Sequence, residues 1–326
     1  MVAAGCAGAG IASPGRAGVT PRHHAAIFVA LLAAAIVAPL FLYPVFLMKV
    51  MCFALFACAF NLLLGHGGLL SFGHAAYFGS ASYVCAHAAK VWGLSPELAI
   101  LSGTAAAAFL GAVIGGLAIR RQGIYFAMVT LAFAQMIYFL AVQAPFTGGE
   151  DGIQAVPRGH LFGLLSLQSD ITLYFVVLAI TFGGLLLIYR IIHSPFGQVL
   201  KAIRENEARA ISLGYRVNQY KFRVFVLSAT LAGLAGAIKA VVFQLASLTD
   251  VHWMMSGEVV LMALIGGMGT FFGPLAGAAA IVTMQNYLAS FGAWVTIIQG
   301  IIFVVCVLLF REGIVGVIAR WMRRPL

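Results

Sequence analysis

The stretch GHGGLLSFGHAAYFGS, residues 65–80, holds five glycines and two histidines within sixteen residues. It sits between the run LMKVMCFALFACAFNLLL (47–64) and a further apolar segment to residue 90. A glycine inside a helix costs about 1 kcal/mol relative to alanine, and an imidazole in an apolar medium needs a hydrogen-bond partner. The stretch therefore interrupts a helical, hydrocarbon-compatible sequence. Within a bilayer, such an interruption is tolerated where protein surrounds it or where it lines a water-filled cavity.

Composition makes the membrane reading general. The chain of 326 residues is 63% hydrophobic and 9% charged, with a mean hydropathy of +1.04. A soluble domain carries roughly 25% charged residues, so this chain cannot clothe a water-facing surface. Apolar runs of bilayer-spanning length recur from residue 26 onward, and the two-residue alternation of a membrane barrel is absent. The expected fold is an all-α, polytopic transmembrane helical bundle. About ten spans are read near 26–47, 50–64, 74–90, 97–118, 123–143, 171–189, 222–242, 257–269, 273–289 and 292–310. Residues 1–25 read as a disordered cytoplasmic tail, 26–310 as the membrane domain and 311–326 as a basic cytoplasmic C-terminus.

The net charge of +10 is explained by basic loops on one side rather than by nucleic-acid binding. Arg16 and Arg22, then Arg120 and Arg121, then the segment 190–223, then the C-terminus all fall on the same side of a ten-span chain. The opposite loops carry Glu150, Asp151, Asp170 and Asp250, with Lys90 and Arg158 as their basic members. The positive-inside rule places both termini in the cytoplasm. Lys239 is expected to snorkel from its span to the interface, with a cavity-facing role as the other reading. The five cysteines have no metal-binding spacing and read as small hydrophobes.

Several chemistries are missing. There is no GxxxxGK[ST] loop, no HExxH, no nucleophile–base arrangement and no paired carboxylates, so neither catalytic nor metal-ligating residues are assigned. The nine acids read as lying in loops or at helix ends, Glu97 and Glu258 opening their spans. A carrier driven by protons or sodium usually needs an ionisable group in the membrane. Energy for active transport must then come from another subunit. A stand-alone carrier or facilitator for small organic solutes is the alternative, and a membrane enzyme lacks any reactive constellation.

The polar segment 193–223 reads as a short amphipathic helix over 194–214. Ser194 is a good N-cap, Pro195 suits the first helical position, and Gly214 can end the helix. Phe196, Val199, Leu200, Ile203, Ala210 and Ile211 form an approximate apolar stripe, while Glu205 and Arg209 are spaced as an i,i+4 pair. Such a helix lies in the lipid headgroup layer, packs on its own bundle, or enters a cleft on a partner with Phe196, Leu200 and Ile203 as anchors.

Four blocks carry a resemblance. SPFGQVLKAIRENEARAISLGY (194–215) with FVLSATLAGLAGAI (225–238), NLLLGHGGLLSFGHAAYFGSASY (61–83), TGGEDGI (147–153) and GGMGTFFGPLAGA (266–278) resemble, together, the inner-membrane permeases of branched-chain amino acid ABC importers, LivM-type. The resemblance implies a multi-pass protein of the bacterial inner membrane, without a cofactor of its own. It would work with a second homologous permease, two cytoplasmic ABC ATPases that bind the ATP, and a periplasmic substrate-binding protein. It further implies that 194–214 is the coupling helix, with Ser194, Pro195, Phe196, Leu200, Ile203, Arg204, Glu207 and Gly214 in that role. The importer signature is EAA, three residues, then Gly; EARAISLG (207–214) departs from it at Arg209 and places Gly214 one residue late. Gly65, His66, Gly67, Gly68, Ser71, Gly73 and His74 are assigned to the substrate path, with close glycine packing and structurally satisfied histidines as the other reading of that stretch. Thr147, Gly148, Gly149, Glu150, Asp151 and Gly152 are assigned to contact with the binding protein, or else form a solvated acidic loop.

Overall fold

A computed structural model describes residues 21–161, 163 and 165–288, with isolated positions between 294 and 304. The helices are α1 (Pro21–Val37), α2 (Pro44–Asn61, continued as a π-turn over Leu62–His66), α3 (His74–Lys90), α4 (Pro96–Ala118), α5 (Ile124–Gln143) and α6 (Asp170–His193). They are followed by α7 (Pro195–Glu205), α8 (Glu207–Ser212), α9 (Val217–Phe243), α10 (Leu248–Val251), α11 (Trp253–Gly266) and α12 (Gly273–Leu288). Two short antiparallel ladders accompany them: β1 (Ile153–Gln154) with β4 (Leu245–Ala246), and β2 (His160–Leu161) with β3 (Leu165–Ser166).

Among the described residues, five helices are long and apolar enough to cross a membrane: α2 with its π-turn, α4, α5, α6 and α9. The remaining apolar helices among the described residues are shorter, and together they form a polytopic helical bundle. The run read as one span over 26–47 is divided. Its helix ends at Val37, a 3₁₀ turn covers Ala38–Leu40, and α2 starts at Pro44. Pro39 and Pro44 lack the amide hydrogens that a continuous helix would need there. α11 starts at Trp253 rather than 257, which moves Glu258 from the mouth of that span to its interior. The run 292–310 lies outside the described residues apart from those isolated positions.

The core is built on small residues. α3, α4 and α9 pack with almost no side-chain spacer between them: a Cβ on Gly236 would lie 2.0 Å from the carbonyl oxygen of Phe78, and one on Gly233 would lie 2.2 Å from the Ala107 Cβ. In lipid, where apolar burial does not itself drive helices together, this close backbone approach supplies the dispersion energy. The segment GLAGAI (233–238) is therefore the contact face of the central helix α9.

Polar contacts close the end of the bundle that carries the two ladders. Arg158 donates to the Asp170 carboxylate at 2.7 Å and to the carbonyl of Val242 at 2.9 Å. Lys239 does not snorkel: its ammonium meets both carboxylate oxygens of Asp250, with side-chain exposures of 12% and 2%. Asp250 also completes a capping box with Ser247 at the start of α10. Removing one partner strands a buried charge, so Asp250→Ala is expected to lower unfolding stability by about 3 kcal/mol. Thermal unfolding of the purified chain in detergent checks this.

Candidate translocation and coupling site

At the other end, the polypeptide between α2 and α3 turns within the bundle. Asn61, inside an otherwise apolar run, opens the π-turn Leu62–His66, a form of helix that often marks functional positions. Gly68 then adopts φ +69°, and the amides of Gly68 and Leu69 donate back to the carbonyls of Leu64 and Leu63 at 3.1 and 3.2 Å. A left-handed residue at this place ends a helix, and glycine adopts it without a Cβ penalty.

Two outside elements hold the break. The Asn61 side chain donates to the Thr270 carbonyl at 2.9 Å and accepts the Gly269 amide at 3.1 Å, which locks the break to the turn between α11 and α12. The guanidinium of Arg204, from α7, donates to the carbonyl of Gly65. Its aliphatic stem covers Gly68, where a Cβ would approach the Arg204 Cγ at 3.1 Å. One side chain of the amphipathic segment thus satisfies a buried helix-end carbonyl and roofs the glycine turn beside it.

Beyond the turn, the chain passes into the core. Ser71, fully buried, accepts the Gly73 amide at 3.2 Å, and Thr130 of α5 accepts the Phe72 amide at 3.2 Å. The start of α3 receives its cap from another helix, since Ser256 of α11 accepts the Ala75 amide at 2.9 Å. His74 is fully buried, with Nε2 2.8 Å from the Ser228 hydroxyl, which itself donates to the Ala59 carbonyl. Phe60 and Tyr77 stand edge-on to its ring. His74 Nδ1 and the Tyr77 hydroxyl are buried with no hydrogen-bond partner. His66 is buried beside the Asn61 carbonyl at 3.5 Å. The structure therefore brings Gly65 to His74 together in one protein-enclosed turn, with the two histidines on separate contacts.

The segment expected as one helix over 194–214 is two. Asn206 takes an extended conformation (φ −156°, ψ 98°) and caps α8 through its side chain, which accepts the Arg209 amide at 2.9 Å. Asparagine favours such caps because its side chain competes with the helix for backbone donors. Glu205 and Arg209 consequently sit on different helices and form no i,i+4 pair. Ser194 does cap α7 as read, accepting the Gly197 amide at 3.4 Å, with the exposed Pro195 at the first position.

Leu200 and Ile203 are turned inward: they are 1% and 3% exposed, and Ile203 packs with Ala210 and Val217. Phe196, half-buried, stacks on Tyr220 with ring centroids 5.5 Å apart. Glu207 is tied down by Lys221 at 2.8 Å and Gln122 at 3.2 Å. Gly214 has φ +86° with open space around it. The apolar groups this segment does present are Ile211, Leu213 and Tyr215.

The 147–152 loop lies at the opposite end. Thr147 is buried and donates to the carbonyls of Ala141 and Ala144, both at 2.6 Å. Gly148 and Gly152 have φ +78° and +68°, and a Cβ on Gly152 would meet the Ala246 carbonyl at 2.3 Å. Gly149 also has positive φ, while Glu150 and Asp151 are exposed. Thr147 and the glycines therefore shape the loop, and the two acids are its free face.

A helical bundle with several apolar spans, a glycine break carried into its core and an amphipathic segment clamped on that break has the make-up of a membrane transport permease. Residues 44–307 match the family described as branched-chain amino acid transport system / permease component, and the chain belongs to that family. It is 26% identical over 287 residues to the high-affinity branched-chain amino acid transport system permease protein LivM of Escherichia coli (strain K12), covering 81% of this chain and 68% of that protein. LivM of Salmonella typhimurium is 27% identical over 288 residues, with the same coverage. The ribose import permease protein RbsC of Bacillus subtilis is 29% identical over 173 residues, 51% of each chain. No solved structure matches the chain.

Proposed function

We propose that this chain is the permease subunit of an ATP-driven importer in a bacterial inner membrane, forming the path for branched-chain or other hydrophobic amino acids. The energy comes from ATP hydrolysis on separate ABC ATPase subunits docked at the α7–α8 end. A second homologous permease completes the path, and a periplasmic binding protein delivers cargo to the 144–170 end. The α7 end is then cytoplasmic, as are both termini. Exposed Lys201, Arg204, Arg209 and Arg216 at that end, against exposed Glu150 and Asp151 at the other, support this orientation.

The observation that carries the reading is the bond from Arg204 to the Gly65 carbonyl. It ties the helix nearest an ATPase to the interruption in the membrane helix. Movement of α7 then alters the packing of 61–73 against the 267–273 turn, and the path changes the side to which it opens. The chain itself holds and releases cargo; bond-breaking chemistry belongs to the ATPases.

Gentle extraction of a tagged chain from its native membrane is the test. Stoichiometric recovery of an ATPase and a second permease is the expected result. A chain recovered alone that transports in liposomes without ATP is instead a carrier, and the reading falls. Within the importer, Glu150→Lys with Asp151→Lys is expected to reduce the stimulation of ATP hydrolysis by loaded binding protein about threefold, through lost electrostatic complementarity at a rim. Unchanged stimulation would remove this loop from the docking surface.

A further inference from the structure

Two cavities open beside the first turns of α9, outside the turn between α2 and α3. One, of about 520 Å³, lies between α4 and α9 and is bordered by Arg120, Asn218, Gln219 and Arg223. The other, of about 510 Å³, is lined by Val226 and Leu227 of α9 and by Ile191 and Phe196 at the α6–α7 corner. Each has the size of a small-molecule site, about 300–1,000 Å³. Phe222 and Arg223 belong to both. The lining positions recur every fourth residue on α9 (218, 222, 226 and 219, 223, 227) and on α4 (112, 116, 120). Residues so spaced share a helix face, so the two cavities follow one another along a single seam.

The seam changes character along its length. Its outer part is polar and positive, and no acid lines either cavity. Arg120 and Arg223 are exposed, and they enter none of the ion pairs or hydrogen bonds among the described residues. Asn218 and Gln219 stand in the first turn of α9, the positive end of its dipole. Deeper in, the lining is apolar, and its one hydroxyl is satisfied: Ser194 donates to the Ile191 carbonyl and accepts the Gly197 amide. Gly116 keeps the seam open, since a Cβ there would meet nothing nearer than Phe222 Cε2 at 4.0 Å. Arg223 is the seventh residue of α9, about 9 Å inside the helix at 1.5 Å per residue. An arginine at such a depth in a spanning helix is costly without a compensating partner.

We propose that this seam binds an anionic phospholipid, its phosphodiester held by Arg120 and Arg223 and an acyl chain laid along Phe222, Val226 and Leu227. The planar fork of arginine matches phosphate oxygens. An amphiphile fits the passage from positive to apolar, whereas a free anion leaves the apolar part empty. Two unpaired cations with no acid beside them favour a lipid of net negative charge over one whose choline would find no partner. The inference goes beyond the transport reading and uses it only for the leaflet: the orientation proposed above puts the seam on the cytoplasmic side, where anionic lipids attract basic residues.

The test uses the full chain, purified in detergent with any subunits that accompany it, and given equimolar dioleoyl-phosphatidylglycerol and dioleoyl-phosphatidylcholine. Native mass spectrometry reads the ratio of the two lipids retained. Arg120→Ala with Arg223→Ala is expected to lower the preference for phosphatidylglycerol about tenfold. Both side chains are exposed, so the fold should persist. Gly116→Leu narrows the apolar part without changing charge, and is expected to lower phosphatidylglycerol retention roughly threefold, as for one lost methylene contact. Arg121→Ala with Arg190→Ala removes the same charge from exposed positions outside the seam. An unchanged preference in that control supports the proposal. A loss equal to that of the Arg120 and Arg223 variant assigns the preference to diffuse surface charge and overturns it. Full preference in the Arg120 and Arg223 variant overturns it as well, and loss of accompanying ATPases from that variant would then make the seam a protein-docking surface. Displacement of phosphatidylglycerol by inorganic phosphate alone makes it a site for a free anion, which also overturns the lipid assignment. Retention of lipid does not depend on the transported solute, so failure here leaves the transport reading standing.

Discussion

An Arg204→Ala permease is expected to assemble with its ATPases and hydrolyse ATP, yet to lose about tenfold or more of its uptake per ATP consumed. Arg204 belongs to α7, but its guanidinium bonds the carbonyl of Gly65 and its stem lies over Gly68. No other described α7 side chain bonds this turn. Alanine leaves α7 intact, because it is a good helix former and the buried anchors Leu200 and Ile203 remain. It leaves the helix-end carbonyl at Gly65 to water, so α7 can move without taking the turn with it.

Gly68→Leu acts on the same contact from the other side. Its backbone has φ +69°, and a Cβ there approaches Arg204, so the added side chain displaces the roof. Proteoliposome uptake divided by ATP hydrolysed is the measurement. An unchanged ratio in the Arg204→Ala complex removes the link between the amphipathic segment and the membrane break. An unchanged ratio in a normally assembled Gly68→Leu complex removes the break from the transport path.

The sequence carries the turn between α2 and α3 unevenly. The break itself was legible because five glycines among apolar residues leave few alternatives. Its partners were not. Asn61, Thr130, Ser228 and Ser256 each appear in sequence as a single polar residue in a long apolar run, and periodicity does not say which helix each one faces. Asn61 reaches Gly269 and Thr270 more than two hundred residues away. Lys239 illustrates the same limit: snorkelling is the local solution for a lysine near a helix end, whereas the fold supplies Asp250. Helix ends were clearest where proline or a Gly cluster marks them, as at Pro96 and His74. They were misread where a helix-compatible asparagine caps a new helix, as at Asn206.

The break at Asn206 changes where the proposed ATPase surface lies. Taken as one helix, 194–214 presents Phe196, Leu200 and Ile203 as the stripe that enters a partner. The break at Asn206 turns α8, and Leu200 and Ile203 are consumed by the permease's own packing while Leu213 is 70% and Ile211 58% exposed. Two exposed apolar side chains beside an open, left-handed Gly214, rimmed by Arg209 and Arg216, have the form of a small hot spot with a charged border. Ile211→Glu with Leu213→Glu is therefore expected to abolish recovery of the ATPases with the tagged permease, a loss of about a hundredfold in affinity. Permease yield and thermal stability should stay the same, since neither side chain is buried. Leu200→Ala is expected to behave oppositely: it opens a cavity costing about 3 kcal/mol, lowers the unfolding temperature and leaves ATPase affinity unchanged in the folded fraction. If the Ile211 and Leu213 variant retains its ATPases at full stoichiometry, the docking surface is not at α8, and the inward-facing stripe of α7 must turn outward on assembly.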